Sequence, residues 1–364
     1  MKKMLKISLL AFLVLGLLVG CSNTSNDEVK EEAKSCDFTV GLVTDLGGVD
    51  DKSFNQSAWE GVLRYAEENG LTVDSKNADG VACYSYLQSS SEADYVPNLS
   101  AMADNDVDLV MAIGYLFQEA IEEVAPKYPN TKFLFVDSVA DYDNVASAVY
   151  AAEEGSFLTG VAAALQAKAE GSDKVGFIGG MEGELIGAFQ AGFEQGVWAV
   201  DPEMTIYVDY AASFVDDAVG QTLAAKQYGA GATVIYQAAG AAGNGVIKEA
   251  KERSNDGVWA IGVDKDQYSE GLLDDGSSII LTSMIKRVDE STYQVINQVK
   301  DGTFAGGVLT FNLSNNGTGA ELTEGRNLSA EDIAIILEFA EKIVNGEITV
   351  SPVPVIPNGQ SGTK

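Results

Sequence analysis

The chain has 364 residues, with 23 Lys and Arg against 54 Asp and Glu, a formal charge of −31 and no histidine. The missing histidine excludes Ser-His-Asp and Cys-His catalysis, His-ligated zinc and an imidazole proton shuttle. The acidity argues against nucleic acid as a partner, since that binding rests on Lys and Arg neutralising phosphates, and the length suffices for two domains and a sizeable core.

Lys2, Lys3 and Lys6 precede an apolar run from Ile7 to Gly20. The run is too short to span a bilayer comfortably and is flanked like the h-region of a secretory signal. Residues 1–20 therefore read as a signal peptide. The sequence Leu18-Val19-Gly20-Cys21 resembles the bacterial lipobox, in which the cysteine is acylated and becomes the mature N-terminus. A plain signal peptide with a chance cysteine is the alternative. From Cys21 to Ser35 the chain lacks apolar periodicity and reads as a solvated tether, reaching about 20 Å as a flexible coil. These features place the protein on the extracytoplasmic face of a bacterial cell membrane, held there by lipid. Export permits a disulfide between the two remaining cysteines, Cys36 and Cys83, although two free thiols fit the sequence equally well.

From Cys36 onward, short β-rich runs alternate with helical patterns. Phe38–Asp45 reads as a buried strand, followed by a helix over Gln56–Asn69 that stops at Gly70. Strands are expected at Asp108–Ile113 and Lys132–Val136, then at Lys174–Ile178, Thr205–Val208, Thr233–Tyr236, Val258–Val263 and Ser278–Thr282. Helices are expected between most of them, at Phe157–Ala169, Glu184–Val200 and Asp217–Gly229. Such alternation predicts an α/β fold with parallel sheets covered on both faces. The body is too long for one sheet of average size, so two doubly wound, Rossmann-like lobes are expected. The first covers 36–150 and the second 151–283, each completed by part of the segment after residue 283. In such folds ligands sit beyond the carboxyl ends of the strands, which directs attention to the residues that follow each one.

After the first strand come Asp45, a Gly47-Gly48 turn and Asp50-Asp51-Lys52-Ser53-Phe54-Asn55. Ser53 or Asn55 is positioned to cap the next helix. Phe54, a large aromatic in a polar loop, is either a hydrophobic staple onto that helix or a ring offered to a flat ligand. Glu119 falls in the first turn of a later helix, where the dipole alone favours a carboxylate. Phe214 repeats the motif of a phenylalanine between a strand end and a helix, so that each lobe has one, like two sides of a clamp. Asp264 closes a buried strand and is placed to accept hydrogen bonds from ligand hydroxyls. Lys286, expected just after the next strand, is placed to donate to those hydroxyls or to pair with Asp264. The glycine-rich stretches Gly176–Gly183 and Gly240–Gly245 match neither the dinucleotide fingerprint nor the P-loop. They read as tight strand-to-helix turns, and neither a nucleotide cofactor nor a metal is expected.

Together these residues resemble the basic membrane protein family of bacterial lipoproteins, also described as purine nucleoside receptor-like (PnrA-like) substrate-binding proteins. The matching words are Val43-Thr44-Asp45 with Asp50–Gln56, Tyr86–Ser89 with Ala93-Asp94-Tyr95, Glu154–Leu158, Gly179-Gly180-Met181, Gly262-Val263-Asp264 with Asp266-Gln267, Thr282–Arg287 and Gly302-Thr303-Phe304. The likeness covers nearly the whole chain after the tether. It implies a periplasmic-binding-protein-like type I fold, two lobes joined by a hinge, that feeds an ABC importer and its membrane permease. It also implies a purine nucleoside such as guanosine, inosine or adenosine held between the lobes. By the same resemblance Phe54 and Phe214 sandwich the base, with Asp45 and Asn55 beside them. Asp264 and Lys286 hold the ribose, and Glu119 takes the place of the family's base-reading Asp. Two rival readings remain at this level. One keeps the fold but binds a sugar or a small signalling molecule, and the other is a carboxylate-based nucleoside hydrolase.

Overall fold

Strands that are apolar on both faces need cover on both sides, and the chain supplies it by returning through a helix after nearly every strand. A computed structural model describes residues 34–364; the expected signal segment, Cys21 and the tether as far as Ala33 lie outside them. The first sheet is built from β1 (Val40–Thr44), α1 (Phe54–Glu68), β2 (Tyr84–Gln88), α2 (Tyr95–Asp104), β3 (Leu109–Ile113), α3 (Gln118–Val124), β4 (Lys132–Val136) and β5 (Val145–Tyr150). The second uses α4 (Ala152–Ala169), β6 (Lys174–Gly179), α5 (Glu184–Val200), β7 (Thr205–Tyr210), α6 (Asp217–Gly229), β8 (Val234–Ala238), α7 (Ala242–Glu252), β9 (Trp259–Gly262) and β10 (Ile280–Lys286). The remaining elements are α8 (Val288–Lys300), β11 (Gly307–Phe311), β12 (Thr318–Ala320), α9 (Ala330–Val344) and β13 (Ser361–Gly362).

The strand order is β11-β5-β4-β3-β1-β2 in the first sheet and β12-β10-β9-β8-β6-β7-β13 in the second. Every pairing is parallel except those of β12 and β13 at the two edges of the second sheet. Both sheets share one internal order, in which the chain winds outward from β1 and from β6 in both directions. Each therefore has a switch point, between β1 and β3 and between β6 and β8, where a crevice opens past the strand ends.

The C-terminal segment is divided between the sheets. Helix α8 buries Val288, Val295 and Ile296 in the core beneath β1 and β3, and β11 extends the first sheet beside β5. Helix α9 buries Ile333, Ile336 and Ile343 in the core of α4 and α5, while β12 pairs with β10. The chain thus passes between the sheets three times, after β5, after β10 and after β11. The crossings are fastened to one another: Ala151 N donates to Phe311 O over 2.8 Å and Arg287 N to Gly317 O over 2.9 Å.

Several boundaries differ from the expected ones. Strand Lys132–Val136 and helices Glu184–Val200 and Asp217–Gly229 occur where the periodicity places them. The strand expected at Ser278–Thr282 instead runs from Ile280 to Lys286, because β12 keeps pairing with it as far as Lys286 opposite Thr318. Lys286 is therefore the last residue of a strand and not part of the loop after it. Helix α4 begins at Ala152, with Glu153 and Glu154 in its first turn, where the helix dipole favours them.

Cys36 and Cys83 form a disulfide, with their Cα atoms 5.9 Å apart. The bridge ties the segment entering β1 to the segment entering β2, next to the bond from Val40 N to Cys83 O. It spans a sequence separation of 47 residues, for which the chain-entropy model gives about 4 kcal/mol of stabilisation. Urea unfolding should accordingly show Cys36→Ser, or the reduced wild type, to be less stable by roughly that amount; an unchanged midpoint would show that the bridge contributes nothing.

Candidate functional site

The carboxyl ends of the two sheets face each other across a cleft of about 560 Å³, part of it open to solvent. Seven strand ends contribute. From the first sheet come Asp45 after β1, Gly114 and Tyr115 after β3, and Asp137 after β4, together with Asp51, Phe54 and Asn55 from the loop into α1. From the second come Phe214 after β7, Gly240 after β8, Asp264 after β9 and Lys286 at the end of β10, with Leu185, Ile186 and Phe189 of α5.

The loop after β1 is organised by Asp51. Its Oδ1 accepts from Ser53 N and Gln56 N over 2.9 and 3.0 Å, and its Oδ2 from Asn55 N and the Asn55 side chain over 2.9 and 3.0 Å. This buried carboxylate satisfies the free amides at the start of α1, the task the sequence assigned to Ser53 or Asn55. Both are thereby released for other contacts. Ser53 donates its hydroxyl to Asp264 on the opposite sheet. Asn55 donates to Asp45 Oδ1 over 2.9 Å as well as to Asp51. Burial raises the Asp51 carboxyl against these lowering hydrogen bonds.

Phe54 and Phe214 both line the cleft, one from each sheet, and both are half-buried. Phe214 sits where it does because residue 180 is glycine: a Cβ there would fall 2.4 Å from the Phe214 ring. Tyr115 meets Phe214 edge-on, with ring centroids 6.4 Å apart and planes at 79°, so an aromatic contact spans the cleft.

Lys286, 2% exposed at its side chain, pairs with Asp137 Oδ2 at 2.5 Å and not with Asp264. Its ammonium also lies 4.7 Å from the ring centre of Phe54 and 4.9 Å from that of Tyr150, which supplies cation–π stabilisation in a dry setting. Asp264 is held by Ser53, and its main-chain oxygen accepts from Lys286 N over 2.9 Å. Asp137 and Asp264 both adopt the left-handed conformation, with φ of 70° and 67°, so the chain reverses sharply right after each strand. Burial raises Asp264 to about 6, opposed by the nearby Lys286 charge and the Ser53 hydroxyl.

Of the seven ligand-binding positions expected from the sequence, Asp45, Phe54, Asn55, Phe214, Asp264 and Lys286 line the cleft. Glu119 does not. It is exposed in the first turn of α3, because Ala120, Ile121 and Val124 take the inward face of that short helix. Sequence reasoning missed Asp51, Tyr115 and Asp137. Asp137 carried a usable signal, since it directly follows a strand whose last four residues are apolar and buried. Two buried acceptors in the cleft, Asn55 Oδ1 and Asp137 Oδ1, have no hydrogen-bond donor, a costly state that a ligand bearing N–H or O–H groups would relieve.

The family model for PnrA-like ABC transporter substrate-binding proteins (Bmp) matches residues 38–352. The chain belongs to that family. It is 42% identical to a CD4+ T-cell-stimulating antigen of Listeria innocua, over 97% of this chain and 99% of that protein. It is 38% identical to the ABC transporter nucleoside-binding protein BmpA of Lactococcus lactis subsp. cremoris, over 96% of this chain and 99% of that one. Among solved structures, it is similar to an ABC transporter system solute-binding protein from Aeropyrum pernix K1, with a TM-score of 0.73 and 28% identity over 86% of this chain and 92% of that one. The architecture is thus that of a two-lobed, periplasmic-binding-protein-like receptor, and the protein is the substrate-binding component that serves an ABC permease. No helix among the described residues is long and apolar enough to cross a membrane.

Removing one partner of a buried ion pair leaves the other charge uncompensated, at a cost of about 3–5 kcal/mol. Asp137→Ala should therefore lower the stability of the ligand-free protein by about that much in urea unfolding, whereas a loss below about 1 kcal/mol, as for a surface pair, would show that Lys286 is supported by its aromatic neighbours alone.

Proposed function

We propose that the protein captures purine nucleosides outside the cell membrane, anchored through Cys21, and delivers them to its ABC permease without transforming them. The observation that carries this reading is the composition of the cleft: one phenylalanine from each lobe, with unpartnered buried acceptors beside them. A purine offers two flat apolar faces to Phe54 and Phe214, and stacking on an aromatic side chain is worth about 1–3 kcal/mol per base. The N–H and O–H groups of a nucleoside suit Asn55 Oδ1 and Asp137 Oδ1, while Asp264 and Lys286 offer an acceptor and a donor to ribose hydroxyls. In this reading the acceptor role that the resemblance gave to Glu119 passes to Asp137, which is buried where Glu119 is exposed. Four carboxyl groups against a single lysine disfavour a 5′-phosphate, so nucleosides are preferred to nucleotides. The name of the Lactococcus relative as a nucleoside-binding protein supports the same ligand class.

A thermal-shift panel tests the reading, because a ligand that binds only the folded state raises its melting temperature. Guanosine, inosine or adenosine should raise Tm, and nucleoside monophosphates and free sugars should not. A shift produced by sugars alone would favour a sugar receptor, and release of free base from labelled inosine would establish a hydrolase. Phe54→Ala and Phe214→Ala should each weaken nucleoside binding by more than about tenfold in calorimetry, and unchanged affinity in both variants would refute the aromatic clamp.

A further inference from the structure

Asp45 is surrounded by groups that resist its ionisation. Its side chain lines the cleft at the end of β1, and the residue is only 7% exposed. Asp51 from its own loop and Asp137 from the end of β4 face it with like charge. Tyr95 of α2 and Tyr115 after β3 are also close, and both phenols are held neutral by burial and by the carboxylates around them. Across the cleft, Asp264 adds a further carboxyl. Among the described residues lining the cleft, the one cation is Lys286, and its ammonium is committed to Asp137. Burial outweighs the two hydrogen bonds Asp45 receives and raises it to about 7.

The two oxygens of Asp45 are not equivalent. Oδ1 accepts from Gly47 N over 2.9 Å and from the Asn55 amide over 2.9 Å, which fixes it as a lone-pair acceptor. Among the described residues no hydrogen bond engages Oδ2, so a proton on the carboxyl resides there. Gly114, at φ 115°, keeps the space in front of this oxygen empty: the position a Cβ would fill lies 3.4 Å from Asp45 Oδ2 and 3.5 Å from the edge of the Phe54 ring. A ring stacked on Phe54 thus brings its rim toward Asp45 Oδ2.

We infer that Asp45 binds its ligand as a neutral carboxylic acid, with Oδ2–H donating to an acceptor on the rim of the stacked ring, so that at alkaline pH each binding event takes up one proton. The ligand must therefore present a lone pair there, such as an unprotonated ring nitrogen or a carbonyl oxygen. A ligand with an N–H at that point sets donor against donor and is rejected. This specificity rests on the nucleoside reading above and adds to it which edge of the ring is read and by which protonation state. No covalent step is involved, and the proton comes from solvent and returns to it on release.

The sign of the pH dependence follows. Below about pH 7 the acid form is already populated and binding takes up little; above it, affinity falls by about tenfold per pH unit, because a proton must be recruited first. Asp264, whose carboxylate form serves as an acceptor, weakens binding on the opposite, acid side of about pH 6, so the two arms are separable.

Calorimetric titration of the purified protein with guanosine, inosine and adenosine tests this. Binding would be measured from about pH 6 to pH 8.5, in paired buffers of different ionisation enthalpy. The wild type should lose about tenfold in affinity per unit above about pH 7 and take up close to one proton per ligand at the alkaline end. Asp45→Asn, which keeps an acceptor and a permanent donor in the same places, should show neither the alkaline decline nor the uptake. Binding with a flat alkaline profile and no uptake in the wild type overturns the inference alone. Uptake that persists in Asp45→Asn assigns the proton to another carboxyl and also overturns it. If none of the three nucleosides binds at any pH, the nucleoside reading fails and takes this inference with it. The wild-type measurement stands whether or not the variant folds.

Discussion

Carboxyl groups taken out of water cost several kcal/mol each unless something replaces their hydration, and the cleft contains four of them, Asp45, Asp51, Asp137 and Asp264, beside one lysine. Much of the local structure follows from how each is accommodated. Asp51 is solvated by the amides that begin α1, Asp137 by an ammonium delivered from the last residue of β10, and Asp264 by a hydroxyl from the opposite lobe. Asp45 has only an amide side chain and one backbone N–H, and burial raises it to about 7.

These solutions link the lobes. The loop that carries Phe54 also provides the partner for Asp264, and its main chain is bound from the other side as well. Gln267 donates to Lys52 O over 2.8 Å and Asn244 to Asp51 O over 3.1 Å. Gln267 is itself held by Gln237 and by Val263 N, so the turn bearing Asp264 and the loop bearing Phe54 form one hydrogen-bonded body. Any separation of the two sheets would have to break these contacts together.

The extent to which the sequence foretold this arrangement depended on whether a residue's role was local. Lys132–Val136 is apolar after its first residue and flanked by polar turns, and Glu184–Val200 runs from a glycine to an acidic stop, so both declare themselves. Strand β2 does not: its residues alternate between buried and exposed at a sheet edge, and without β1 beside it nothing marks Tyr84–Gln88 as a strand. The same holds for β12 and β13, three and two residues long, which exist through their partners. In the site, the two phenylalanines stood out as large apolar residues in polar loops. Asp137 obeyed the strand-end rule but looked ordinary, since its importance comes from a lysine 149 positions later. Glu119 was the reverse case, a residue whose place in a first turn is explained by the helix dipole alone.

The threefold passage of the chain between the sheets has a consequence for how the molecule comes to exist. The first sheet receives its outer strand, β11, from a point about 160 positions beyond the strand it joins, a separation that makes such pairing slow. The second is closed at its far edge only by Ser361 and Gly362. A nascent chain that has delivered everything up to α8 would still have open strand edges on both halves, the kind of surface that invites pairing with other chains. The first sheet is therefore complete once β11 has joined it, whereas the far edge of the second stays open until Ser361 and Gly362 are in place.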